Sequence, residues 1–325
     1  DKGPYVSFAN CGLPYHLSGE IEKRDSLLLQ TPQSLRASLN LDVRVNSTVT
    51  AVNPAAKSVT VAGPDGTYSL EYDALVLSPG GAPVTPPIEG VDRDEVHRLY
   101  TIPQLDDVMA AYAALPADPA PRVTVVGAGF IGLEAVEAFS HRGAAVTLVE
   151  FAPHVLPPLE GELAGYLHAE LEKNSVTVKT ATAVIAIEGD DAGSGLASDE
   201  SVPDPSSSSA PDRGVTVRLS DGSSHGADLV LLSTGVQPNS SLARDAGLEL
   251  SARGAIVVDG TMRTSDPHIW AVGDAVQVRR NLGGIDLLTN VPLAAPANRH
   301  GRLAADAIVR GVTVGAEPPA VLSTA

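Results

Sequence analysis

Residues 122 to 150 leave this chain the least freedom. Val123–Val126 is a short apolar run, followed by Gly127-Ala128-Gly129-Phe130-Ile131-Gly132, a helix-periodic stretch Leu133–His141, and a second apolar run, Ala145–Val149, that ends in Glu150. Read as strand, glycine-rich turn, helix and second strand, the segment gives each residue a task. Gly127 permits the tight turn, Gly129 lets backbone approach a pyrophosphate, and Gly132 permits close packing of helix on strand. The helix N-terminus offers N–H donors and the positive end of its dipole to phosphates. Glu150 lies 23 residues beyond Gly127 (150 − 127), where a carboxylate accepts both ribose hydroxyls and repels a 2′-phosphate. Phe151-Ala152-Pro153-His154 brings no arginine to welcome that phosphate. The expectation is an NADH site, with NADPH disfavoured.

Similar alternation runs along the chain. Strand-like runs occur at Val43–Val45, Val59–Val61, Ala74–Leu77, Val176–Val178, Val215–Leu219, Leu229–Leu232, Ile256–Val258 and Ile269–Val272, and helical periodicity at Ser34–Leu39, Ile102–Leu115, Gly161–Asn174 and Ala297–Val309. Strands and helices joined by short turns imply α/β with a largely parallel sheet. With 43% hydrophobic but only 4% aromatic residues, the cores must be built from Val, Ala and Leu, as buried parallel sheets are. At 325 residues, two domains are expected. The Ser/Asp/Pro/Gly-rich tract at 189–214 has no periodicity and reads as a disordered surface insert. A net charge of −17 argues against nucleic acid and anionic membranes as partners, and no apolar run is long enough to span a bilayer.

Cys11, within Ser7-Phe8-Ala9-Asn10-Cys11-Gly12-Leu13-Pro14-Tyr15, is the only cysteine. One thiol forms no internal disulfide, so any redox chemistry it performs needs an outside partner. Its segment leads into an apolar stretch, the expected start of a helix, whose N-terminus favours a thiolate. One cysteine in so long a chain also fits a reducing cytoplasm. His154, His225 and His268 show no metal-binding spacing.

Ile269-Trp270-Ala271-Val272-Gly273-Asp274 is a strand ending in Gly-Asp, placing a carboxylate where it can bond a sugar-alcohol chain. Leu75–Leu77 followed by Ser78-Pro79-Gly80-Gly81, and Leu231-Leu232-Ser233-Thr234-Gly235, repeat the strand-then-glycine design on either side of the 122–150 unit. With Pro292-Leu293-Ala294 and Ala297-Asn298-Arg299, these segments make six ordered motifs, in which the chain resembles the flavin-dependent pyridine nucleotide-disulfide oxidoreductases of the single-cysteine branch. That branch holds coenzyme A-disulfide reductases, CoA-persulfide and polysulfide reductases, NADH oxidases and NADH peroxidases. The Asn-Cys-Gly-Leu-Pro-Tyr form is most similar to the CoA-disulfide and persulfide reductases.

The resemblance implies a glutathione-reductase-like fold of two Rossmann-like domains, the FAD domain interrupted by an inserted NAD domain. Residues 1–103 and 234–310 would form the FAD domain, 104–233 the NAD domain, and 311–325 the start of a C-terminal dimerisation domain. The family's first strand and first glycine-rich turn would precede Asp1, so the chain is expected to be incomplete at both ends. The resemblance implies a flavin held by Asp1, Lys2, Pro79, Gly80, Gly273, Asp274, Pro292, Leu293 and Ala294. It places NADH on Gly127, Gly129, Phe130, Ile131, Gly132, Glu134, Glu150 and Gly235, with Phe130 as an aromatic gate. Cys11 would cycle through a mixed disulfide with coenzyme A, bound by Ser7, Asn10 and Asn298. His16 stands where many members carry a second tyrosine, and no lysine for coenzyme A is evident near Arg36. The implied assembly is a homodimer. The alternatives are an NADH oxidase or peroxidase cycling through a cysteine sulfenic acid, and an inert nucleotide-binding fragment.

Overall fold

The computed structural model describes residues 1–189 and 214–310. They fall into two compact units. Unit one comprises Asp1–Val6, Gln30–Ala82 and the chain from Val236 onward; unit two comprises Ser7–Leu29 and Pro83–Gly235. Seven parallel strands organise them: β1 (Leu75–Leu77), β2 (Val96–Arg98), β3 (Arg122–Val126), β4 (Ala145–Val149), β5 (Thr177–Lys179), β6 (Leu229–Leu232) and β7 (Ile269–Ala271). Five helices matter below: α1 (Leu13–Ser18), α2 (Ile102–Ala114), α3 (Phe130–His141), α4 (Gly161–Lys173) and α5 (Ala294–Arg310).

In unit two the order is β5-β4-β3-β6-β2, all parallel. Every residue of β6 is buried, as a strand covered on both faces requires. Helix α2 begins with a reciprocal cap: the Gln104 N–H donates to Thr101 Oγ1 and the Thr101 N–H to Gln104 Oε1. Helix α3 buries Ala135, Val136 and Phe139, and the Phe139 and Tyr112 rings lie 5.4 Å apart. An antiparallel sheet of Val184–Gly189, Val215–Leu219 and Ser224–Ala227 packs Ile187, Val217 and Leu219 into one cluster with β6. Gly189 pairs with Val215, so the tract expected as an insert joins two neighbouring strands; its interior, 190–213, lies outside the described residues, as does 311–325.

One buried ion pair staples this unit. The Asp228 side chain is 1% exposed and accepts from the Arg122 backbone N–H at 2.8 Å and from its Nη2 at 2.7 Å. Asp228→Ala leaves the half-buried guanidinium and that N–H without their acceptor. A loss of about 3 kcal/mol is expected in urea unfolding, near the low end for breaking a buried pair because Arg122 is 28% exposed. A loss below about 1 kcal/mol would refute this account.

In unit one, β1 and β7 pair in register, Leu75 with Ile269 and Leu77 with Ala271. Leu77, Trp270, Val272, Leu248 and Met262 form its core with Val59 and Val61 of the antiparallel sheet Thr48–Asn53, Ser58–Gly63, Gly66–Glu71. Helix α5 buries Pro296, His300, Ala304 and Ala307, one stripe at helical spacing. Val43–Val45, expected as a strand, is not one: Arg44 O accepts from the Asp1 amino group at 2.7 Å and the Asn46 N–H donates to Gly3 O at 3.0 Å, but Asn46 turns the chain at φ 49° and the strand starts only at Thr48. No helix of the described residues is long and apolar enough to cross a membrane.

Candidate functional site

The glycine-rich turn sits at the C-terminal end of β3 in unit two. Gly127 takes φ +101°, and its N–H donates to Val149 O at 2.8 Å, joining the turn to the end of β4. A Cβ on Gly132 would stand 1.9 Å from Gly127 O, whereas a Cβ on Gly129 would meet nothing within 4 Å. The last two glycines of the turn thus do different work. Gly132 is required by packing, and Gly129 faces open space where a ligand can come close. Gly129 is also the N-cap of α3 and carries no side chain to bond the first-turn N–H groups, which stay available to an anion. Phe130, 64% exposed, stands at the mouth of this turn, with Ile131 half-buried behind it. Burial, aided by Glu137, pushes the Glu134 carboxyl above its ordinary pKa. Gly235 takes φ +91° beyond β6 and accepts from the Val84 N–H at 2.9 Å.

Glu150 does more than the sequence reading gave it. The side chain is buried, Oε2 accepts from the Ala128 N–H at 2.6 Å and Oε1 from the Ala152 N–H at 2.7 Å. Ala128 O in turn accepts from the Leu156 N–H at 2.8 Å. The acid therefore organises the turn as well as standing at the end of β4, and each oxygen keeps a lone pair for a ribose hydroxyl. Glu150→Ala is expected to weaken NADH binding at least about tenfold without making NADPH the better ligand, because the turn itself loses two charge-assisted bonds. Titration with both nucleotides checks this; NADPH binding tighter than NADH in the variant would overturn it.

Cys11 belongs to the same unit. It is exposed in a 3-10 turn, Asn10–Gly12, that runs into the six-residue α1. The turn is held on two sides: the Ala9 N–H donates to Leu27 O at 2.8 Å, and Asn10 Nδ2 donates to Tyr100 O at 3.1 Å. Buried Leu13 and Leu17 anchor α1, which packs on α3; Arg142, just past α3, donates from Nε to Leu17 O. Arg24 forks onto Asp106 of α2, with both contacts at 2.6 Å. Ser7, half-buried, lies in a short strand paired with Leu28–Gln30. The structure thus brings Cys11, Ser7 and Asn10 into one unit with the glycine-rich turn, and Asn10 is engaged in fixing the thiol's own loop.

The residues expected at a flavin lie in unit one. Gly80 takes φ +66° beyond β1 and Gly273 φ +77° beyond β7, and the Val272 N–H donates to Leu77 O at 2.9 Å between the two strand ends. Burial raises the Asp274 carboxyl above its usual range, and no described group donates to it. Asn290 Nδ2 bridges Asp274 O at 2.7 Å and Val276 O at 2.8 Å. Pro79 is half-buried; Pro292, Leu293 and Ala294 are exposed where α5 begins. Asp1 and Lys2 are exposed, and Asp1 Oδ1 accepts from the Gly3 N–H at 2.6 Å. Asn298 lines a shallow groove of about 380 Å³ with Arg299 and Arg302. His300, which the sequence reading passed over, accepts the Gly273 N–H at Nδ1 (3.3 Å). A polar residue at the centre of the apolar stripe Pro296, Ala304, Ala307 was the signal that could have found it.

Residues 2–301 match the family model described as pyridine nucleotide-disulphide oxidoreductase. The chain belongs to that family. Among curated relatives, an NADH oxidase from Methanocaldococcus jannaschii is 32% identical over 93% of this chain and 62% of its own length. An NAD(P)H sulfur oxidoreductase (CoA-dependent) from Pyrococcus abyssi is 31% identical over 92% of this chain and 60% of its own. The crystal structure of reduced CoADR-RHD from Bacillus anthracis superposes with a TM-score of 0.83 at 39% identity, covering 97% of this chain and 52% of that one. The chain therefore spans about 60% of the length of the curated relatives it matches.

Proposed function

We propose that this chain carries the nucleotide and thiol chemistry of an FAD-dependent oxidoreductase that uses NADH to reduce a disulfide or persulfide of coenzyme A at Cys11. One observation carries the reading. The only thiol is exposed on a turn held by two hydrogen bonds, whose helix packs on α3, and the N-terminus of α3 is the glycine-rich turn.

The residues of unit one fit a flavin. A half-buried Asp274 carboxylate with no donor among the described residues suits a ribityl hydroxyl, and the turns at Gly80 and Gly273 leave backbone accessible. Asp274, Gly273, Pro79, Gly80 and Pro292–Ala294 would hold it, with Asp1 and Lys2 on its ribose side. Bound flavin supplies a two-electron relay between a hydride donor and a disulfide.

The protein's own step is thiol exchange. The Cys11 thiolate attacks one sulfur of CoA–S–S–CoA, forming Cys11–S–S–CoA and expelling one CoA thiolate. Two electrons and one proton then cleave the mixed disulfide to a second CoA thiol and the Cys11 thiolate, so that NADH, one proton and CoA disulfide give NAD⁺ and two CoA thiols. Ser7, Asn10 and Asn298 are the proposed coenzyme A contacts, and a homodimer the proposed assembly. Glu150 favours NADH over NADPH by charge.

A second reading, an NADH oxidase or peroxidase cycling Cys11 through sulfenic acid, draws on the Methanocaldococcus jannaschii relative. Anaerobic NADH oxidation by the FAD-loaded protein separates the two. Turnover with CoA disulfide or CoA persulfide supports the reductase. No turnover with either, but rapid NADH use once oxygen or peroxide is admitted, supports the oxidase or peroxidase.

A further inference from the structure

We infer that His300 is a positioning residue of the flavin site: by accepting the Gly273 N–H it fixes the turn from which Asp274 meets the ligand. The inference rests on the flavin reading of unit one and goes beyond it, because His300 belongs to none of the six sequence motifs.

The Gly273–Asp274 turn is gripped by two side chains. On one side the Gly273 N–H donates to His300 Nδ1 at 3.3 Å; on the other, Asn290 Nδ2 donates to Asp274 O and Val276 O. Gly273 is in the left-handed region at φ +77°, so the turn departs from the strand that precedes it and gains most from external support. With its backbone held on both sides, the turn presents the Asp274 carboxylate, which takes no donor among the described residues.

The bond to Gly273 settles the tautomer. An Nδ1 that accepts is unprotonated, so Nε2 carries the hydrogen. His300 is 1% exposed, and Nε2 finds no partner among the described residues. Orphaning a donor in a stripe otherwise made of Pro296, Ala304 and Ala307 is unfavourable, and an apolar side chain would avoid the cost. Packing therefore does not account for an imidazole here; the Nδ1 acceptor does. Burial, with Arg299 adding to it, lowers the imidazole pKa and keeps the accepting form in place at neutral pH.

Trp270, the only tryptophan, lies on β7 three residues before Gly273 and reports flavin uptake by quenching. FAD is titrated into flavin-free wild type and the variants His300→Leu, His300→Asn and His300→Gln, with apo melting temperatures measured alongside. Asparagine places Oδ1 where Nδ1 stood, whereas glutamine reaches the Nε2 side. The leucine and glutamine variants are expected to bind FAD about tenfold more weakly, and the asparagine variant within about threefold of wild type, as loss or retention of one buried bond implies. The asparagine–glutamine contrast carries the test even if leucine lowers the melting temperature. Leucine binding as tightly as wild type, or glutamine rescuing where asparagine does not, would overturn the inference. Wild type that takes up no FAD would overturn the flavin reading and this inference together.

Discussion

Cys11→Ser should abolish NADH-driven reduction of CoA disulfide, with a loss of at least about a thousandfold in kcat, while NADH binding stays within about twofold of wild type. The asymmetry follows from chemistry and packing. An alkoxide is not available from serine near neutral pH, and no disulfide can be stored on oxygen, so both halves of the exchange are lost. Binding should survive because Cys11 is exposed and its loop is held by other groups: Leu27 O, Tyr100 O and the buried Leu13 and Leu17. Sulfur and oxygen differ little in size at an exposed position, so the melting temperature should not move. Stopped-flow reduction of the FAD-loaded variant by NADH, followed by addition of CoA disulfide, separates the two halves. Normal flavin reduction followed by no reoxidation by the disulfide is the expected trace. Full turnover in the variant would remove Cys11 from the mechanism.

The sequence was most legible where one local segment specifies its own partners. The Gly127–Gly132 turn dictates strand, helix and second strand, and β3 and β4 appear within one residue of the expected ranges because the helix between them must pack back onto a parallel neighbour. Cys11 at the start of a helix was legible from Gly12 and Pro14, which punctuate the chain there. Val43–Val45 misled because β-branched residues mark a strand only where the backbone stays extended in a ladder, and the few bonds to Asp1 and Gly3 here give way to the turn at Asn46. The hairpin Val276–Leu282 with Ile285–Thr289 passed unnoticed, although Gly283-Gly284 announces it; both take positive φ, as a two-residue turn of that hand requires. Two site features rest on contacts that no local pattern shows. Glu150 reads as a ribose acid at the end of a strand, and only the folded loop reveals that Ala128 and Ala152 donate to it. His300 meets Gly273 across 27 residues of chain, a distance over which periodicity says nothing.

The three glycines of the nucleotide turn should fail in different ways when each gains a methyl group, and the contrast between two of them tests the site directly. Gly132→Ala is expected to cost about 3 kcal/mol or more in stability and to abolish measurable NADH binding. Its Cβ would stand 1.9 Å from Gly127 O and 2.7 Å from Ser233 Oγ, and the first of these is backbone that cannot step aside. Ser233 Oγ donates to Val126 O and Gly127 O, so moving it loosens the turn further. Adding Ser233→Ala to Gly132→Ala should therefore not restore binding, because the collision with Gly127 O persists. Gly129→Ala should behave in the opposite sense. Nothing lies within 4 Å of the added carbon, and its φ of −76° is one alanine adopts without strain, so the protein should fold with a loss below about 1 kcal/mol, the size of a helix N-cap change. The methyl group would then occupy the open space in front of α3, and NADH should bind at least about tenfold more weakly. Urea unfolding and NADH titration of the two variants, run in parallel, give four numbers from one experiment. A Gly129→Ala protein that is stable and binds NADH as wild type does would mean that the pyrophosphate does not lie over this turn.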